Sequence, residues 1–256
     1  MAKRMRIWNE AKYKQYLRAG RGQGEGPAYL PWISVHDFSS QGIASRIFSY
    51  KTNRIHHFLS RNELSFFYLL EWSEQVLDIR EQFPLLDLEL VTDIAQNAGI
   101  RYPRDHISGF PYILTCDFMI TTECGIRART IKNASYLKNK RTLEKLEIER
   151  RYWDALDIDW RIVTEHGIDF QKAKRIEWLY TAAKLPEHLA DRRYWEAMLD
   201  QVEITSIHQA ASWFDERFGH PAGSGLCLIK HLVWHKYISL EIDSDYDFRQ
   251  QVGVCK

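Results

Sequence analysis

The sequence lacks any hydrophobic run long enough to cross a membrane. No apolar stretch approaches the roughly 18 residues that a membrane-spanning helix needs, and the polar opening residues lack the apolar core of a signal peptide. We therefore expect a cytoplasmic protein that has no membrane partner.

Cysteines are also few, and their spacing does not suit a structural role. Neither a Cys-x-x-Cys pair nor a histidine at zinc-site spacing occurs among the four, which are Cys116, Cys124, Cys227 and Cys255. No serine or cysteine stands in the setting of a nucleophile elbow. The sequence therefore predicts reduced thiols, no structural zinc and no covalent catalytic intermediate.

Charge of either sign is not in excess, because 35 Lys and Arg face 34 Asp and Glu, for a formal net charge of +1. A balanced chain has no overall attraction for nucleic acid, so any affinity for DNA must come from charge that is locally concentrated. The chain is nevertheless 256 residues long and 45% hydrophobic, which is enough for a substantial core in one large or two small domains.

The most informative stretch is a predicted β-hairpin in the middle of the chain. Two β-rich runs, residues 112–121 and 127–135, flank a short polar turn that contains Gly125. This pattern is typical of two antiparallel strands, and we centre the turn between Glu123 and Cys124. The position of the turn then determines which residues of the two strands lie opposite each other.

This register sets Asp117 opposite Thr130. Because side chains alternate along a strand, Asp117, Thr130 and Lys132 are expected on one face, with Ile131 pointing the other way. A carboxylate near a Thr-x-Lys pair is a candidate site for a divalent metal and a phosphate. The same pattern also fits a surface ion pair, so the hairpin alone does not decide between the two.

An acidic residue upstream has two interpretations. Residues 46–50 and 54–59 are predicted to form another hairpin, and a helix is predicted from Ser60. Ser60-x-x-Glu63 matches a capping box, in which the glutamate side chain bonds back to the serine amide. Glu63 could instead serve a metal site. Local sequence favours the cap and leaves the second alternative open.

Three blocks of the sequence are long and specific: RGQGEGPAYLPW, HHFLSRNELSFFYLLEWSEQVLDIREQFPLL and RTLEKLEIERRYWDAL. They resemble TnsA, the endonuclease family of heteromeric transposases, and the similarity extends over about residues 18–180. The resemblance implies a restriction-endonuclease-like catalytic domain, that is, a mixed α/β sheet with flanking helices. It also implies a bacterial cytoplasmic subunit that cuts the 5′ ends of transposon DNA, while a TnsB-type transposase cuts and joins the 3′ ends.

The resemblance carries over to individual residues of the candidate site. The family's helical acid matches Glu63, its strand aspartate matches Asp117, and its lysine matches Lys132. Two positions before the lysine, the family has Gln, or an acid in related nucleases, where this chain has Thr130. A hydroxyl is a poorer ligand for a hard cation than a carboxylate. The number of metal ions therefore stays open, as does a non-enzymatic scaffold whose nuclease site has drifted.

We predict catalytic roles for Glu63, Asp117, Lys132 and Thr130. Glu63, Asp117 and the backbone carbonyl of Ile131 would bind Mg²⁺, for which Mn²⁺ can substitute. Lys132 would orient the attacking water and offset the charge that develops on the phosphate, and Thr130 would bind a metal-bound water.

Basic residues are dense in the segment after the hairpin. Residues 138–153 are predicted to form an amphipathic helix, in which Glu144, Glu147 and Glu149 could make salt bridges on a solvent-exposed face. We assign contacts with DNA phosphates to Lys138, Lys140 and Arg141.

Two domains are predicted, residues 1–167 and 168–256. A last strand at residues 159–164 would complete the first, and the second is mainly helical, with the helix, turn, helix and strand order of a winged helix. From Ile168 onward, however, 13 Asp and Glu face 11 Lys and Arg, and the candidate wing, residues 241–247, is acidic. Acidic surface repels phosphate, so we predict a partner-docking domain. The resemblance places contacts with a TnsC-type AAA+ ATPase there.

Overall fold

A computed structural model of the chain describes residues 7–37, 44–240, 242 and 253–254. Residue contacts divide the chain into two units, Met1–Ile168 and Asp169–Lys256. None of the helices in the described part of the chain is both long and apolar enough to span a bilayer.

The first unit begins with helix α1 (Glu10–Arg18) and a hairpin of strands β1 (Ser45–Ser49) and β2 (Arg54–Phe58). The predicted hairpin is confirmed, because Ser49 pairs with Arg54 across the turn. Helix α2 (Arg61–Trp72) follows at once, and the Ser60 side chain caps it by accepting a hydrogen bond from the amide of Glu63.

A four-stranded mixed sheet forms the centre of the first unit. The remaining elements of this unit are β3 (Val76–Pro84), α3 (Leu88–Asn97), β4 (Thr115–Thr122), β5 (Gly125–Ile131), α4 (Lys140–Ala155) and β6 (Asp159–Val163). The strand order is β3-β4-β5-β6, and only the β5–β6 pair is parallel. The prediction of a mixed α/β sheet with flanking helices is confirmed.

The central hairpin has the predicted turn. Thr122 pairs with Gly125, which leaves Glu123 and Cys124 as the two residues of the turn. Gly125 has φ of 118°, a value that glycine adopts without the steric cost that a side chain brings.

Apolar side chains of α3 and α4 pack with those of the sheet. Helix α3, which the sequence analysis did not predict, begins after Asp87, whose side chain accepts a hydrogen bond from the Leu90 amide. The buried cluster comprises Leu85, Val91, Ala95, Tyr102, Cys116, Met119, Ala128, Ile148, Tyr152 and Trp153. A second group of rings, Phe58, Phe67 and Phe118, joins β2, α2 and β4. The two groups pack helices α2, α3 and α4 with the strands of the first unit.

The second unit consists mainly of helices, namely α5 (Phe170–Tyr180), α6 (Arg192–Ile204), α7 (Ile207–Phe218) and α8 (Ser224–Trp234). Strand β7 (Ile238–Ser239) pairs antiparallel with β8 (Gly253–Val254). The candidate acidic wing, residues 241–247, lies outside the described residues except for Ile242. The winged-helix order therefore stays a prediction.

Candidate active site

Glu63 lies in the first turn of α2, and its carboxylate is held in one place by three donors. The Leu59 amide donates to Oε2 at 2.9 Å and the Ser60 hydroxyl donates to Oε1 at 2.8 Å. The third donor is the side-chain amide of Gln82, 3.4 Å from Oε2. Ser60 is the cap that the sequence predicted, but Glu63 reaches the amide of Leu59 and not that of Ser60. Glu63 thus supports the helix end and faces the sheet at the same time.

Asp117 lies at the point where strands β4 and β5 separate. Their regular pairing ends at Phe118 and Arg129, and the next bond is made by a side chain: the Ile131 amide donates to Asp117 Oδ2 at 2.7 Å. Asp117 therefore takes over a bond that backbone carbonyls make elsewhere in the sheet. Its carboxylate thus joins the two strands where their regular pairing ends.

Lys132 follows directly at the end of β5. Its Nζ lies 3.0 Å from Asp117 Oδ2 and 2.9 Å from the carbonyl oxygen of Ile131. Its own amide donates to Val163, which extends the contact with β6. The structure thus brings together Asp117, Lys132 and both backbone groups of Ile131.

Gln82 connects the two acids. Its Nε2 donates to Glu63 Oε2 at 3.4 Å and to Asp117 Oδ1 at 3.3 Å, while its Oε1 accepts from the Thr115 hydroxyl at 3.1 Å. The side chain is buried, and its backbone φ of 49° lies in the left-handed region that non-glycine residues rarely adopt. Sequence analysis did not identify Gln82, because no local motif indicates a left-handed residue within a strand.

Thr130 does not contact Asp117, the residue opposite it. Its buried hydroxyl donates to Glu149 Oε1 and accepts a hydrogen bond from Trp160 Nε1 at 3.1 Å. The expectation that Glu149 lies on a solvent-exposed, salt-bridged face is wrong, since this side chain is buried beneath the site. One signal could have indicated its position: Glu149 follows Leu146 by three residues and precedes Trp153 by four, which is the spacing of a buried helical face.

The carboxylates at this site lack matching positive charge. Burial, together with the negative charge of Asp117, raises the pKa of Glu63. Burial also raises the pKa of Glu149 to about 7, although the hydrogen bond from Thr130 acts in the opposite direction. Burial alone would lower the pKa of Lys132, but the charge and hydrogen bond of Asp117 outweigh it and raise that pKa. Lys132 is therefore a protonated cation among three acids.

Within the described part of the chain, no third carboxylate is placed to complete a metal site with these two. Across residues 7–37, 44–240, 242 and 253–254, no three His, Cys, Asp or Glu side chains form a group that could hold a metal ion. A divalent ion at this site would therefore rest on Glu63 and Asp117, with backbone, amide or water oxygens as additional ligands.

The basic residues assigned to DNA differ in their surroundings. Lys138 and Lys140 are exposed, whereas Arg141 donates to Glu144 Oε2 at 2.8 Å. Glu147 pairs with Arg150 and Arg151, so salt bridges on the exposed face of α4 are confirmed for Glu144 and Glu147. Arg141 is thus less available to a phosphate than the two lysines are.

Two family models match consecutive parts of the chain. Residues 73–165 match the family model of the TnsA-like endonuclease N terminal, a range that contains Asp117 and Lys132 and begins after Glu63. Residues 167–242 match the model of the TnsA endonuclease C terminal.

A curated relative is the Transposon Tn7 transposition protein TnsA of Escherichia coli. It is 44% identical over 161 residues, which cover 62% of this chain and 58% of the relative. The matched region thus spans less than two thirds of the relative's length. Because two family models match consecutive parts of the chain and this relative agrees with them, the chain belongs to the TnsA-like endonuclease family.

Proposed function

We propose that this chain is the DNA-cleaving subunit of a transposase, which hydrolyses phosphodiester bonds at the 5′ ends of a transposon with a divalent metal ion. The observation that carries the proposal is the convergence of Glu63, Asp117 and Lys132. Asp117 lies 3.0 Å from the Lys132 ammonium, and it shares the amide of Gln82 with Glu63. Family membership supports an endonuclease rather than another use of this cluster.

The residues present fit Mg²⁺ or Mn²⁺. Both cations prefer oxygen ligands, and Glu63 Oε2 and Asp117 Oδ1 are directed at the same amide nitrogen. The Ile131 carbonyl accepts a hydrogen bond from Lys132 Nζ, but a carbonyl oxygen has two lone pairs, so this bond leaves it able to bind a metal as well. Glu63, Asp117 and Ile131 would hold the ion.

When bound, a divalent ion polarises the phosphodiester and lowers the pKa of a coordinated water. The chain's own residues prepare the rest of the site. Lys132 stays protonated, because Asp117 raises its pKa, and it therefore keeps a positive charge where negative charge develops on the phosphate. Asp117 receives bonds from both Ile131 and Lys132, so its orientation is set before substrate arrives.

Thr130 and Glu149 would support the site without contacting the metal ion or the phosphate directly. Their direct hydrogen bond, together with that from Trp160 to Thr130, ties the end of β5 to α4 and so fixes the strand that carries Lys132. Thr130 is then a residue that positions Lys132. The contact of its hydroxyl with a metal-bound water stays a prediction from the sequence, at a position where the chain departs from the family pattern.

The remaining components of the reaction are proposed from family membership. We propose transposon-end DNA as substrate, with its phosphates at Lys138, Lys140 and, to a lesser degree, Arg141. A TnsB-type transposase would cut and join the 3′ ends, and the second unit would dock a TnsC-type AAA+ ATPase. The near-neutral net charge supports this division, because the chain alone has little attraction for DNA.

The test is cleavage of labelled transposon-end DNA by the full chain with Mg²⁺, with and without TnsB-type and TnsC-type partners. Cutting of the 5′ strand is expected only in the complete mixture. Asp117→Asn should reduce its rate by on the order of 10³-fold, because a metal ligand contributes several kcal/mol to transition-state stabilisation. Asp93→Asn, at an exposed acid of α3, is the matched control and should cut normally.

Two outcomes would contradict the proposal. If assembly proceeds normally but the 5′ strand is never cut, the chain is a scaffold whose nuclease site has drifted. If the chain alone cuts transposon ends efficiently, it is a self-sufficient restriction-type enzyme that does not depend on partners.

A further inference from the structure

The side-chain amide of Gln82 contacts both acids that would bind the proposed metal ion. Its Nε2 carries two hydrogens and lies within hydrogen-bond distance of both carboxylates, at 3.4 Å from Glu63 Oε2 and 3.3 Å from Asp117 Oδ1. The partial positive charge of an amide NH₂ group thereby offsets part of the repulsion between the two carboxylates. In its partial charge, the amide NH₂ group is a weak substitute for a cation.

The backbone at Gln82 is held in a conformation that few residues adopt. Its φ of 49° is left-handed within β3, and its carbonyl accepts a hydrogen bond from the Trp32 amide at 3.3 Å. This conformation lies outside the β region that strand residues normally adopt. Backbone strain of this kind costs on the order of 1–3 kcal/mol and persists where a side chain must point in a specific direction.

The amide oxygen of Gln82 is hydrogen-bonded to a hydroxyl, a group that can either donate or accept a hydrogen bond. The Thr115 hydroxyl donates to Gln82 Oε1 at 3.1 Å. A hydroxyl can also accept, so it could bond equally well to an NH₂ group in the same place. A half-turn of the amide would therefore keep the bond to Thr115 and direct Oε1, instead of Nε2, at the two carboxylates.

We propose that Gln82 is a ligand of the divalent metal, and that its amide turns between two states. Without metal, Nε2 bridges Glu63 and Asp117 and holds them in place. With metal, Oε1 faces the ion, so that two carboxylate oxygens and one amide oxygen surround it. Amide oxygens are good ligands for hard cations, and this third side-chain oxygen compensates for the absence of a third acid.

This inference rests on the proposed metal-dependent function, and direct measurement of metal binding tests it without DNA or partners. Mn²⁺ is titrated into the full chain, and the free ion is followed by electron paramagnetic resonance. Gln82→Leu has nearly the same size but no oxygen, and it should weaken Mn²⁺ binding by about tenfold or more, the scale of a lost metal-site contact. Gln82→Asn tolerates the left-handed backbone but is one methylene shorter, so it should weaken binding similarly and serves if the leucine variant does not fold.

Gln82→Glu provides the opposite test. A third carboxylate beside Glu63 and Asp117 adds repulsion, so the metal-free variant should melt at a lower temperature than the parent protein. Saturating Mn²⁺ should remove that difference, and the affinity for Mn²⁺ should rise. A residue with only a structural role would lower the melting temperature equally with and without the ion.

The controls separate this inference from the proposed function. If the parent chain binds Mn²⁺ and Asp117→Asn does not, while Gln82→Leu and Gln82→Asn bind as the parent does, Gln82 is no ligand and the metal site stands without it. If the parent chain binds no Mn²⁺, both this inference and the proposed metal site are overturned.

Discussion

Glu81 and Gln82 are neighbours on β3, and they contact two buried groups that differ in how acidic charge is balanced. Glu81 accepts two hydrogen bonds from the Arg54 guanidinium, at 2.9 and 2.5 Å, and lies 2.8 Å from His56 Nδ1. Although burial acts in the opposite direction, the charges of His56 and Arg54 lower the pKa of Glu81 to about 2. This group connects the β1–β2 hairpin to the sheet, and the negative charge of Glu81 is matched by its basic partners.

The neighbouring residue, Gln82, faces the other group. There, Glu63, Asp117 and Glu149 have one cation, Lys132, and the pKa values of both glutamates are raised. A structural group in a protein interior balances its charges, since an uncompensated buried charge is costly. The difference therefore supports the proposal that the second group binds a divalent cation.

Changing Glu63 tests the second group most directly. Glu63→Gln keeps an acceptor for the Leu59 amide but loses the negative charge, so cleavage should fall by on the order of 10²- to 10³-fold, as for a lost metal ligand. The melting temperature should change little or rise, because repulsion with Asp117 is removed. Normal cleavage in this variant would mean that Glu63 is only a capping residue, a role worth about 0.5–2 kcal/mol.

Changing Glu81 tests the first group. Glu81→Gln leaves the buried Arg54 guanidinium without its counter-charge, and the free energy of unfolding should fall by about 3–5 kcal/mol. Denaturant-induced unfolding measures the loss, and Asp93→Asn serves as the neutral control. A loss below about 1 kcal/mol, typical of exposed pairs, would refute the contrast between the groups.

The two groups should also respond oppositely to pH. The pKa of Glu149 is raised from 4.5 to about 7 in the folded state, so its contribution to stability is full below pH 4.5 and is lost as the pH rises to 7. Glu149→Gln removes this dependence, and the variant's melting temperature relative to the parent should increase between pH 5 and pH 8. A constant difference over that interval would mean that the pKa of Glu149 is not raised.

The contribution of Glu81 to stability should change with pH in the opposite direction, because the pKa of Glu81 is lowered from 4.5 to about 2. Its contribution is present above pH 4.5 and is lost as the pH falls towards 2. Melting curves of the parent and Glu81→Gln below pH 4.5 should therefore converge.

The smallest expected effect concerns the basic side chains that are proposed to contact DNA. Lys138→Ala and Lys140→Ala should each lower the salt dependence of DNA binding by the assembled complex by about one unit of log–log slope. Arg141→Ala should change it less, since Arg141 already pairs with Glu144. Binding at several salt concentrations measures the slopes. A larger effect for Arg141 than for the lysines would show that the pair with Glu144 opens on DNA.

Much of the first unit could be predicted from local sequence. The turn at Glu123 and Cys124 fixed the register of β4 and β5, and the Ser60 cap fixed the start of α2. The proximity of Asp117 and Lys132 then follows from the register, because strand pairing is determined by the turn and by the alternation of hydrophobic residues. These features depend on residues close together in the chain.

Other features depend on contacts between distant residues, which no local pattern encodes. Thr130 was expected to face Asp117, but the strands separate just before it, and its hydroxyl bonds to Glu149 of α4. Gln82 has a left-handed backbone, and its carbonyl accepts a hydrogen bond from the amide of Trp32, 50 positions earlier. The sequence shows residue types at these places, but not the tertiary bonds that set their direction.

The separation of β4 from β5 at Asp117 has a consequence for length changes in the chain. The acid and the lysine lie at the open end of a hairpin whose other end is an exposed two-residue turn, so the part between them is a spacer. Equal insertions in both strands near the turn would lengthen the hairpin and leave the distance from Asp117 to Lys132 unchanged. An insertion in one strand alone would shift the register or create a bulge. The number of residues between Asp117 and Lys132, the two proposed catalytic groups, can therefore vary in a related or redesigned nuclease, provided that both strands change length equally.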